Sequence, residues 1–269
     1  MIIFPKCKIN IGLQVIEKRS DGYHNLESLF CDVNSPCDIL EIVESEKLSF
    51  SIYGTSLDCS PDENICIKAY NLLSKDYIIP PAEIHLYKSI PSGAGLGGGS
   101  SDGACTLILL NKLFDLGIDN NTLTAYAATL GSDCPFFIYA HLFEERERNP
   151  MIVSGRGDIL EKIELPVMDE LEIKIVTPPV FISTMQAYGG VVPKVPATPL
   201  RDILKLPVEV WRDYLFNDFE KHIFEKYPQL AEYKEQLYKE GALYASMSGS
   251  GSSLFGLFPR GGGANREPF

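Results

Sequence analysis

The chain has 269 residues, which is enough for one large domain or two smaller ones, each with a hydrophobic core of its own. Hydrophobic residues make up 45% of it and charged residues 22%, a globular composition that excludes a chain disordered along most of its length. The formal net charge is −12, so a general nucleic-acid-binding surface, which needs a basic face, is not expected. An anionic ligand must therefore be bound by a local group of donors.

The cysteines and the N-terminus bear on where the protein works. Seven cysteines are scattered without a CxxC pair or a spacing typical of zinc ligands, which indicates buried thiols in a reducing compartment. The N-terminus has no charged region followed by a long apolar stretch, and no segment reaches the roughly 18 apolar residues of a membrane span. We therefore expect a cytoplasmic protein that does not contact a membrane.

The first part of the chain is predicted to be rich in β-strands. Apolar and polar residues alternate over 9–13, a polar turn follows at 20–23, and further strands are predicted in the segments DILEIVE and LSFSIYG. A helix is predicted over 62–73, with Asp62 or Asn64 as its cap. The strand AEIHLYKSI follows this helix.

A glycine-rich loop, PSGAGLGGGSSD, runs directly into the apolar segment 104–116, so the local order is strand, loop and helix. Gly117 is predicted to end that helix. A second helix is predicted over 122–130 with Asn121 as its cap, after which the chain is predicted to turn through 132–135.

A domain boundary is predicted near residue 155, which gives an N-terminal domain over 1–155 and a C-terminal domain over 156–259. The second domain is predicted to contain the strand LEIKIV, helices in LRDILKL and LAEYKEQLYKE, and two strands joined by the loop SGSGSS. This order of elements indicates an α+β fold. The tail over 260–269 has no periodicity and is expected to be disordered.

The glycine-rich loop is the strongest signal for a functional site. So many glycines cost backbone entropy, which suggests that the backbone itself approaches a ligand. At a helix N-terminus, free N–H groups and the positive end of the helix dipole favour an anion such as phosphate. Gly93, Gly95 and Gly98 fit the pattern GxGxxG, but a helix follows where a dinucleotide-binding fold needs a strand, and the lysine of a Walker A loop is absent. A merely flexible loop remains the alternative.

Three segments in this order resemble the three motifs of the GHMP kinase superfamily. They are PKCKINIGL at 5–13, the glycine-rich loop with the two residues after it at 91–104, and MSGSGSSLFG at 247–256. Within the superfamily, RSDGYHNLES and GSDCPFF are similar to the branch that phosphorylates the 2-hydroxyl of a cytidine-diphosphate ester of methylerythritol, in the non-mevalonate route to isoprenoids. The resemblance covers nearly the whole chain up to residue 259.

The resemblance implies both an architecture and a set of ligands. The implied fold is the two-domain α+β fold of GHMP kinases, with an N-terminal domain like domain 2 of ribosomal protein S5 and a ferredoxin-like C-terminal domain. The implied ligands are ATP as co-substrate, Mg²⁺ with it, and the cytidyl substrate.

The resemblance also implies a catalytic pair, Lys8 and Asp133. A carboxylate such as Asp133 can take the proton of the attacked hydroxyl, and Lys8 can stabilise charge on the transferred phosphoryl group. Asn10 lies on the same face of the strand as Lys8 and is expected to position the substrate. Without the resemblance, Lys8 would be interpreted as a solvated strand lysine and Asp133 as a turn residue before Pro135.

The cytidine of the acceptor is expected near the turn at Asp21 and Gly22. The resemblance implies that Tyr23 stacks on the cytosine and that His24 binds its edge, and such stacking is worth about 1–3 kcal/mol. Tyr188 stands where the family usually has a phenylalanine and is the expected second stacking partner, with Thr184 nearby. A half-buried tyrosine and a surface histidine are the alternatives for Tyr23 and His24.

The ATP contacts are also implied by the resemblance. Adenine is expected near Asn64, Lys88 and Asn111. The phosphates are expected along the loop, at Pro91, Gly93, Gly95, Leu96, Gly97, Gly98, Gly99, Ser100 and Ser101. A hydroxyl of Ser100 or Ser101 can bind Mg²⁺, and no acidic metal ligand is assigned. Asn64 as a helix cap, Asn111 as part of a polar helix face and the segment 248–253 as a plain hairpin turn remain alternatives.

Two other functions stay open at this point. A GHMP kinase acting on homoserine, galactose, mevalonate or phosphomevalonate is less favoured, because these substrates carry no base to stack. A nucleotide-binding module without catalysis would leave Lys8 and Asp133 with structural roles. The expected partners are small molecules only, without nucleic acid or membrane, and the sequence allows a monomer or a homodimer.

Overall fold

The structure, a computed structural model, describes residues 1–55, 60–142 and 148–261. The strands in these ranges are β1 (Ile2–Ile3), β2 (Lys6–Lys18), β3 (His24–Cys37), β4 (Ile39–Glu44), β5 (Ser49–Gly54), β6 (Ala82–Lys88), β7 (Met151–Gly155), β8 (Ile159–Lys162), β9 (Leu171–Val176), β10 (Tyr244–Met247) and β11 (Leu254–Pro259). The α-helices are α1 (Ile65–Leu73), α2 (Gly98–Leu113), α3 (Asn120–Leu130), α4 (Cys134–Leu142), α5 (Thr184–Gly189), α6 (Leu200–Ile203), α7 (Trp211–Tyr214), α8 (Glu220–Lys226) and α9 (Pro228–Lys239). Short 3₁₀ helices lie at Pro61–Glu63, Pro166–Glu170 and Val208–Val210.

These strands form three sheets. One sheet has the order β1-β4-β6-β5 and is antiparallel except for the parallel pair of β5 and β6. A second has the order β2-β3-β7-β8, and a third the order β10-β11-β9, both antiparallel throughout. Helices and antiparallel strands are therefore combined as predicted, and the α+β class is confirmed.

The sheet β2-β3-β7-β8 lies between two hydrophobic cores. On one face, Phe30 and Val153 pack with residues of α1 to α4. On the other face, Ile9 and Ile11 pack in a cluster that includes Trp211 from the second half of the chain. Because side chains alternate along a strand, the residues of β2 that alternate with these isoleucines point towards the helices. This alternation carries Lys8 and Asn10 to the side where α2 and α4 begin.

Two helix ends near the site differ from the sequence prediction. The cap of α1 is confirmed, since the side chain of Asn64 accepts a hydrogen bond from the N–H of Cys66. Helix α2 begins at Gly98, six residues before the predicted apolar segment, and ends before Gly117. The first turn of α2 consists of glycines and serines, so the spacing of apolar residues does not predict it. Helix α3 is capped by Asp119 and not by Asn121.

Helix α4 replaces the turn predicted over 132–135. Pro135 lies in its first turn, where the missing N–H of proline breaks no helical hydrogen bond. Phe136, Phe137 and Ile138 are all buried, so the helix has no polar face and therefore no helical period in its sequence. The structure thereby places the residue just before Cys134 at the start of a helix.

The predicted domain division stays a prediction. The hairpin of β7 and β8 spans the position near residue 155 at which the division was predicted. Of the predicted tail, 262–269 lie outside the described residues. Among the described helices, none combines the length and the apolar character that a membrane span requires.

Candidate active site

A cavity of about 680 Å³ lies where the glycine-rich loop meets β2, the start of α4 and the second half of the chain. The predicted site residues in its wall are Lys8, Asn10, Pro91, Gly93, Gly95, Gly97, Gly98, Gly99, Ser100, Asp133, Thr184 and Tyr188. The structure therefore brings the first and second motifs together with the segment around Asp133. Ser250 and its neighbour Gly249 in the third motif also line the cavity.

The glycine-rich loop is shaped by close backbone contacts. Gly93, Gly95 and Gly97 all have a positive φ, a conformation that favours glycine. A Cβ at Gly95 would lie 1.9 Å from the carbonyl oxygen of Ser248, so only glycine fits there. The loop leads into the first turn of α2, whose free N–H groups and positive dipole end are at the cavity wall. This arrangement is a typical anion-binding site.

Lys8 and Asp133 form an ion pair in the cavity. The Lys8 Nζ lies 3.5 Å from the Asp133 Oδ2 and also donates a hydrogen bond to the Asn10 Oδ1. The ammonium lies 4.3 Å from the centre of the Phe30 ring, a cation–π contact. Burial lowers the pKa of Lys8, and the Asp133 carboxylate opposes that shift. The predicted catalytic pair is thus in direct contact, with Asn10 beside it.

Asp133 owes its position to helix α4. It is the residue before Cys134, the first residue of that helix, and a carboxylate there is stabilised by the helix dipole. The Ser132 hydroxyl donates a hydrogen bond of 3.3 Å to its Oδ1. The N-termini of α2 and α4 therefore both meet the cavity, and both favour negative charge there.

The third motif packs against the glycine-rich loop. The Ser248 hydroxyl donates to the carbonyl oxygen of Gly95 at 2.8 Å, and the Ser253 N–H donates to the carbonyl oxygen of Ala94 at 3.1 Å. The segment 248–253 joins β10 to β11, as a hairpin connection does. It is therefore a hairpin turn that also supports the glycine-rich loop.

Aromatic residues gather at the other end of the cavity. Tyr188, on α5, lines the wall with Thr184, and the His24 ring stacks on it with centroids 4.9 Å apart and planes at 25°. Tyr23 is 58% exposed and does not line the cavity. The structure therefore does not form the predicted slot between Tyr23 and Tyr188, because the His24 ring covers Tyr188 instead.

Arg156 and Phe219 are among the cavity residues that the sequence did not predict. Arg156, in the turn between β7 and β8, lines the cavity, and its guanidinium lies 5.3 Å from the centre of the Tyr23 ring. Phe219 also lines the cavity, edge-on to Tyr188 at 4.9 Å. In the sequence, the segment 154–158 indicated only the domain boundary near residue 155, although an arginine between two glycines offers a cation on an exposed turn. The single phenylalanine before α8 gave no signal.

Two predicted adenine contacts are used elsewhere. The Asn64 side chain caps α1. The Asn111 amide bonds to both the N–H and the carbonyl of Ile118, beyond the end of α2. Asn111 is thirteen residues from Gly98, about 20 Å along the helix. Neither side chain lines the cavity, so the structure supports the structural alternative for both.

Leu96 and Ser101 lie behind the cavity wall. The carbonyl of Leu96 accepts a hydrogen bond of 2.9 Å from the Lys8 N–H, which fixes the loop to β2. The Ser101 hydroxyl is fully buried and has no hydrogen-bond partner in the described residues.

Lys88 lies beneath the first turn of α2. Its Nζ bonds to Asp38 and, at 2.7 Å, to the Asp102 Oδ2, and a Cβ at Gly98 would lie 3.3 Å from it. Burial lowers the pKa of Lys88, but Asp102 and Asp38 raise it, and the net shift is upward. Burial raises the pKa of Asp102 well above its ordinary value. The Lys88 side chain therefore belongs to a buried ionic cluster that supports the loop from inside.

The donors in the cavity suit Mg²⁺. The Ser100 hydroxyl and the Asp133 carboxylate are oxygen donors in the wall, and Mg²⁺ prefers oxygen ligands. Within the described ranges, no group of three His, Cys, Asp or Glu side chains is placed to hold a metal. A magnesium ion here would therefore take most of its ligands from phosphate oxygens and water.

Comparisons with known proteins identify the family of this chain. The family described as GHMP kinases N terminal domain matches residues 64–141, and GHMP kinases C terminal matches residues 202–266. The chain is similar to 4-diphosphocytidyl-2-C-methyl-D-erythritol kinase of Azobacteroides pseudotrichonymphae, with 48% identity over 97% of this chain and 94% of the relative. The same-named protein of Bacteroides thetaiotaomicron is 48% identical over 96% of this chain and 92% of the relative.

Solved structures give the same result. A crystal structure of 4-(cytidine 5'-diphospho)-2C-methyl-D-erythritol kinase is similar with a TM-score of 0.78 and 31% identity, over 96% of this chain and 90% of that one. A mevalonate kinase is similar in fold alone, with a TM-score of 0.64 and 14% identity, over 96% of this chain and 91% of that one. The chain therefore belongs to the GHMP kinases and, within them, to the family of 4-diphosphocytidyl-2-C-methyl-D-erythritol kinases.

Proposed function

We propose that this protein transfers the γ-phosphoryl group of ATP to the 2-hydroxyl of 4-diphosphocytidyl-2-C-methyl-D-erythritol, in the non-mevalonate route to isoprenoid precursors. The observation that carries the proposal is the Lys8–Asp133 ion pair, which lies in the same cavity as the N-terminus of α2. Relatives that are 48% identical over nearly the whole chain are named for this acceptor, which supports its identity.

The phosphates of ATP bind at the first turn of α2. Gly99 and Ser100 of this turn lie in the cavity wall. A Cβ at Gly99 would meet no atom within 4 Å, so a phosphate has room beside the backbone there. The free N–H groups and the helix dipole supply the attraction. Contact with Ser248 and the buried cluster around Lys88 hold the loop in this shape before the nucleotide binds.

Asp133 accepts the proton of the acceptor hydroxyl as that oxygen attacks phosphorus. The Lys8 ammonium stabilises the negative charge that spreads over the transferred phosphoryl group. Asn10 keeps the Lys8 side chain in place, because its Oδ1 accepts from Lys8 while its Nδ2 donates to Ser28. The three side chains thus need little rearrangement when the substrates arrive.

Mg²⁺ would be held by phosphate oxygens and by the Ser100 hydroxyl. When bound, the ion neutralises charge on the phosphates and orients them.

The cytidine end of the acceptor lies towards Tyr188, His24 and Tyr23. The His24 ring stacks on Tyr188, so a cytosine that stacks on Tyr188 takes the place of the His24 ring. The ring nitrogens of His24 are then free to bind the edge of the base. The Arg156 guanidinium lines the same wall and is matched in charge to the diphosphate of the acceptor. Tyr23 supplies a second aromatic face next to Arg156.

We place this reaction in the cytoplasm. The described cysteines, Cys7, Cys31, Cys37, Cys66, Cys105 and Cys134, are all free thiols, as a reducing compartment requires, while Cys59 lies outside the described residues.

The proposal is tested by release of ADP in a coupled assay with a panel of hydroxyl acceptors. We expect ADP with the cytidyl acceptor and almost none with homoserine, galactose, mevalonate or phosphomevalonate. Efficient turnover of one of these instead would move the protein to another branch of the GHMP kinases. ATP binding without ADP release from any acceptor would favour a module without catalysis.

A further inference from the structure

We propose that two residues of one short segment, Asn217 and Phe219, are positioning residues for the two ends of the cavity. Asn217 holds the third-motif loop on the phosphate side, and Phe219 holds the Tyr188 ring on the acceptor side. The assignment of substrates to these ends rests on the proposed function, whereas the contacts described next do not.

Asn217 is buried and uses its whole amide on backbone groups. Its Nδ2 donates to the carbonyl oxygens of Met247 and Gly249, each at 2.8 Å, and its Oδ1 accepts from the N–H of Phe219 at 3.0 Å. The two carbonyls lie at the end of β10 and the start of the third-motif loop. One side chain therefore fixes where this loop leaves the strand.

The segment around Asn217 is in turn bound to β2. The Leu13 N–H donates to the carbonyl of Phe216, and the Asp218 N–H donates to the carbonyl of Leu13, both at 2.9 Å. The Asp218 carboxylate accepts from the Val15 N–H at 2.8 Å. The loop is thus positioned relative to the strand that carries the catalytic lysine.

The loop that Asn217 holds touches the predicted phosphate site directly. A Cβ at Gly249 would lie 3.3 Å from the Asn10 Oδ1 and 3.2 Å from the carbonyl oxygen of Gly95. Gly249 therefore lies between Asn10, which accepts a hydrogen bond from Lys8, and the glycine-rich loop. A shift of this turn changes the phosphate end of the cavity.

Phe219 acts at the opposite end. It is buried to 2% exposure and lies edge-on to the Tyr188 ring, with centroids 4.9 Å apart and planes at 72°. Tyr188 has His24 on its face, so its ring is held between two others. This near-perpendicular contact thus fixes the tilt of the ring on which the base of the acceptor is proposed to stack.

This division predicts that two neighbouring substitutions weaken the binding of different ligands. Asn217→Ser keeps an oxygen that can accept from the Phe219 N–H but is too short to reach both loop carbonyls. We expect the dissociation constant of a non-hydrolysable ATP analogue to rise about tenfold, with that of the cytidyl acceptor changed less than about twofold. Phe219→Leu should raise the dissociation constant of the acceptor about three- to tenfold and leave the ATP analogue nearly unchanged.

Two control variants separate positioning from loss of stability. Tyr238→Phe removes two hydrogen bonds to Ala245 of β10, and Phe255→Leu shortens a buried phenylalanine outside the cavity. Both should lower the melting temperature without changing either dissociation constant. Asn217→Asp, which has the shape of asparagine but lacks its donor, is a second variant if Asn217→Ser does not fold.

The measurement is calorimetric titration of each folded variant with the ATP analogue and with the cytidyl acceptor. A weaker affinity confined to the ATP analogue in the Asn217 variant and to the acceptor in Phe219→Leu supports the proposal. Equal shifts for both ligands, no shift in either variant, or failure of both Asn217 variants to fold would overturn it. Wild-type protein that binds the ATP analogue but not the cytidyl acceptor would count against the proposed function, while the ATP arm would still test Asn217.

Discussion

The Lys8 ammonium lies 3.5 Å from the Asp133 carboxylate, although one residue stands on a strand and the other at the start of a helix. Lys8 is almost fully buried, and a buried charge is tolerated when an opposite charge is close. The Asp133 carboxylate therefore helps to keep Lys8 charged, because it raises the pKa that burial lowers.

Asp133→Asn should abolish nearly all turnover. The amide has the shape of the carboxylate but cannot accept the proton of the hydroxyl, so kcat should fall by about 10²–10⁴-fold. Dissociation constants for both substrates should stay within a few-fold of wild type. Steady-state kinetics and calorimetric titration measure the two quantities, and a variant that retains more than about a tenth of wild-type kcat would exclude Asp133 as the essential base.

The reaction should lose rate at high pH through Lys8. Burial holds the pKa of Lys8 below its ordinary value of 10.5, so the proton is lost at a lower pH than for a solvated lysine. As the pH rises through that lowered pKa, the ammonium becomes a neutral amine and kcat/KM falls, and lowering the pH restores it. A pH–rate profile from about 7 to 11 measures this limb. A profile that stays flat beyond pH 10.5 would show that the charge of Lys8 is not needed.

Gly99→Val should block ATP while leaving the fold intact. Its Cβ would point into open space in the cavity, where the phosphates are proposed to bind. The matched variant Gly98→Val should instead destabilise the protein, because its Cβ would lie 2.7 Å from the Ile90 side chain. Thermal unfolding and titration with an ATP analogue separate the two effects. Unchanged ATP affinity in folded Gly99→Val would remove this turn from the phosphate site.

Tyr23→Ala and His24→Ala should weaken acceptor binding in different ways. Loss of a stacking ring at Tyr23 should cost about 1–3 kcal/mol, up to about a hundredfold in affinity, for any base. Loss of His24 should also reduce discrimination between the cytidyl and uridyl forms of the acceptor, since hydrogen bonds distinguish the two bases. Titration of both variants with both forms measures this. A Tyr23→Ala variant with unchanged affinity would confine base binding to His24 and Tyr188.

The sequence predicted those parts of the site that depend on local pattern. Alternation along β2 placed Lys8 and Asn10 on one face, and the Asn64 cap follows from the side chain that precedes an apolar helix. The glycine-rich loop could be recognised because its glycines, which have positive φ in the structure, and the helix that follows them are adjacent in the sequence.

The rest depends on packing between distant segments. Helix α4 is apolar around most of its surface, and six of its nine residues are buried, so its sequence shows no helical period. Arg156 and Phe219 reach the cavity only because β7 pairs with β3 and the segment before α8 binds β2. Asn111 was expected at the nucleotide, but its side chain instead satisfies the backbone N–H and carbonyl of Ile118.

The central claim is transfer of one phosphoryl group from ATP to the 2-hydroxyl of the cytidyl acceptor. Phosphorus NMR of a reaction of the wild-type protein with ATP, Mg²⁺ and this acceptor tests it most directly. The account predicts a new phosphomonoester signal from phosphate on the 2-oxygen of the methylerythritol, equal in amount to the ADP formed and appearing at least about a hundredfold more slowly with Asp133→Asn. ADP formed without that ester, or an ester on a different hydroxyl, would contradict it.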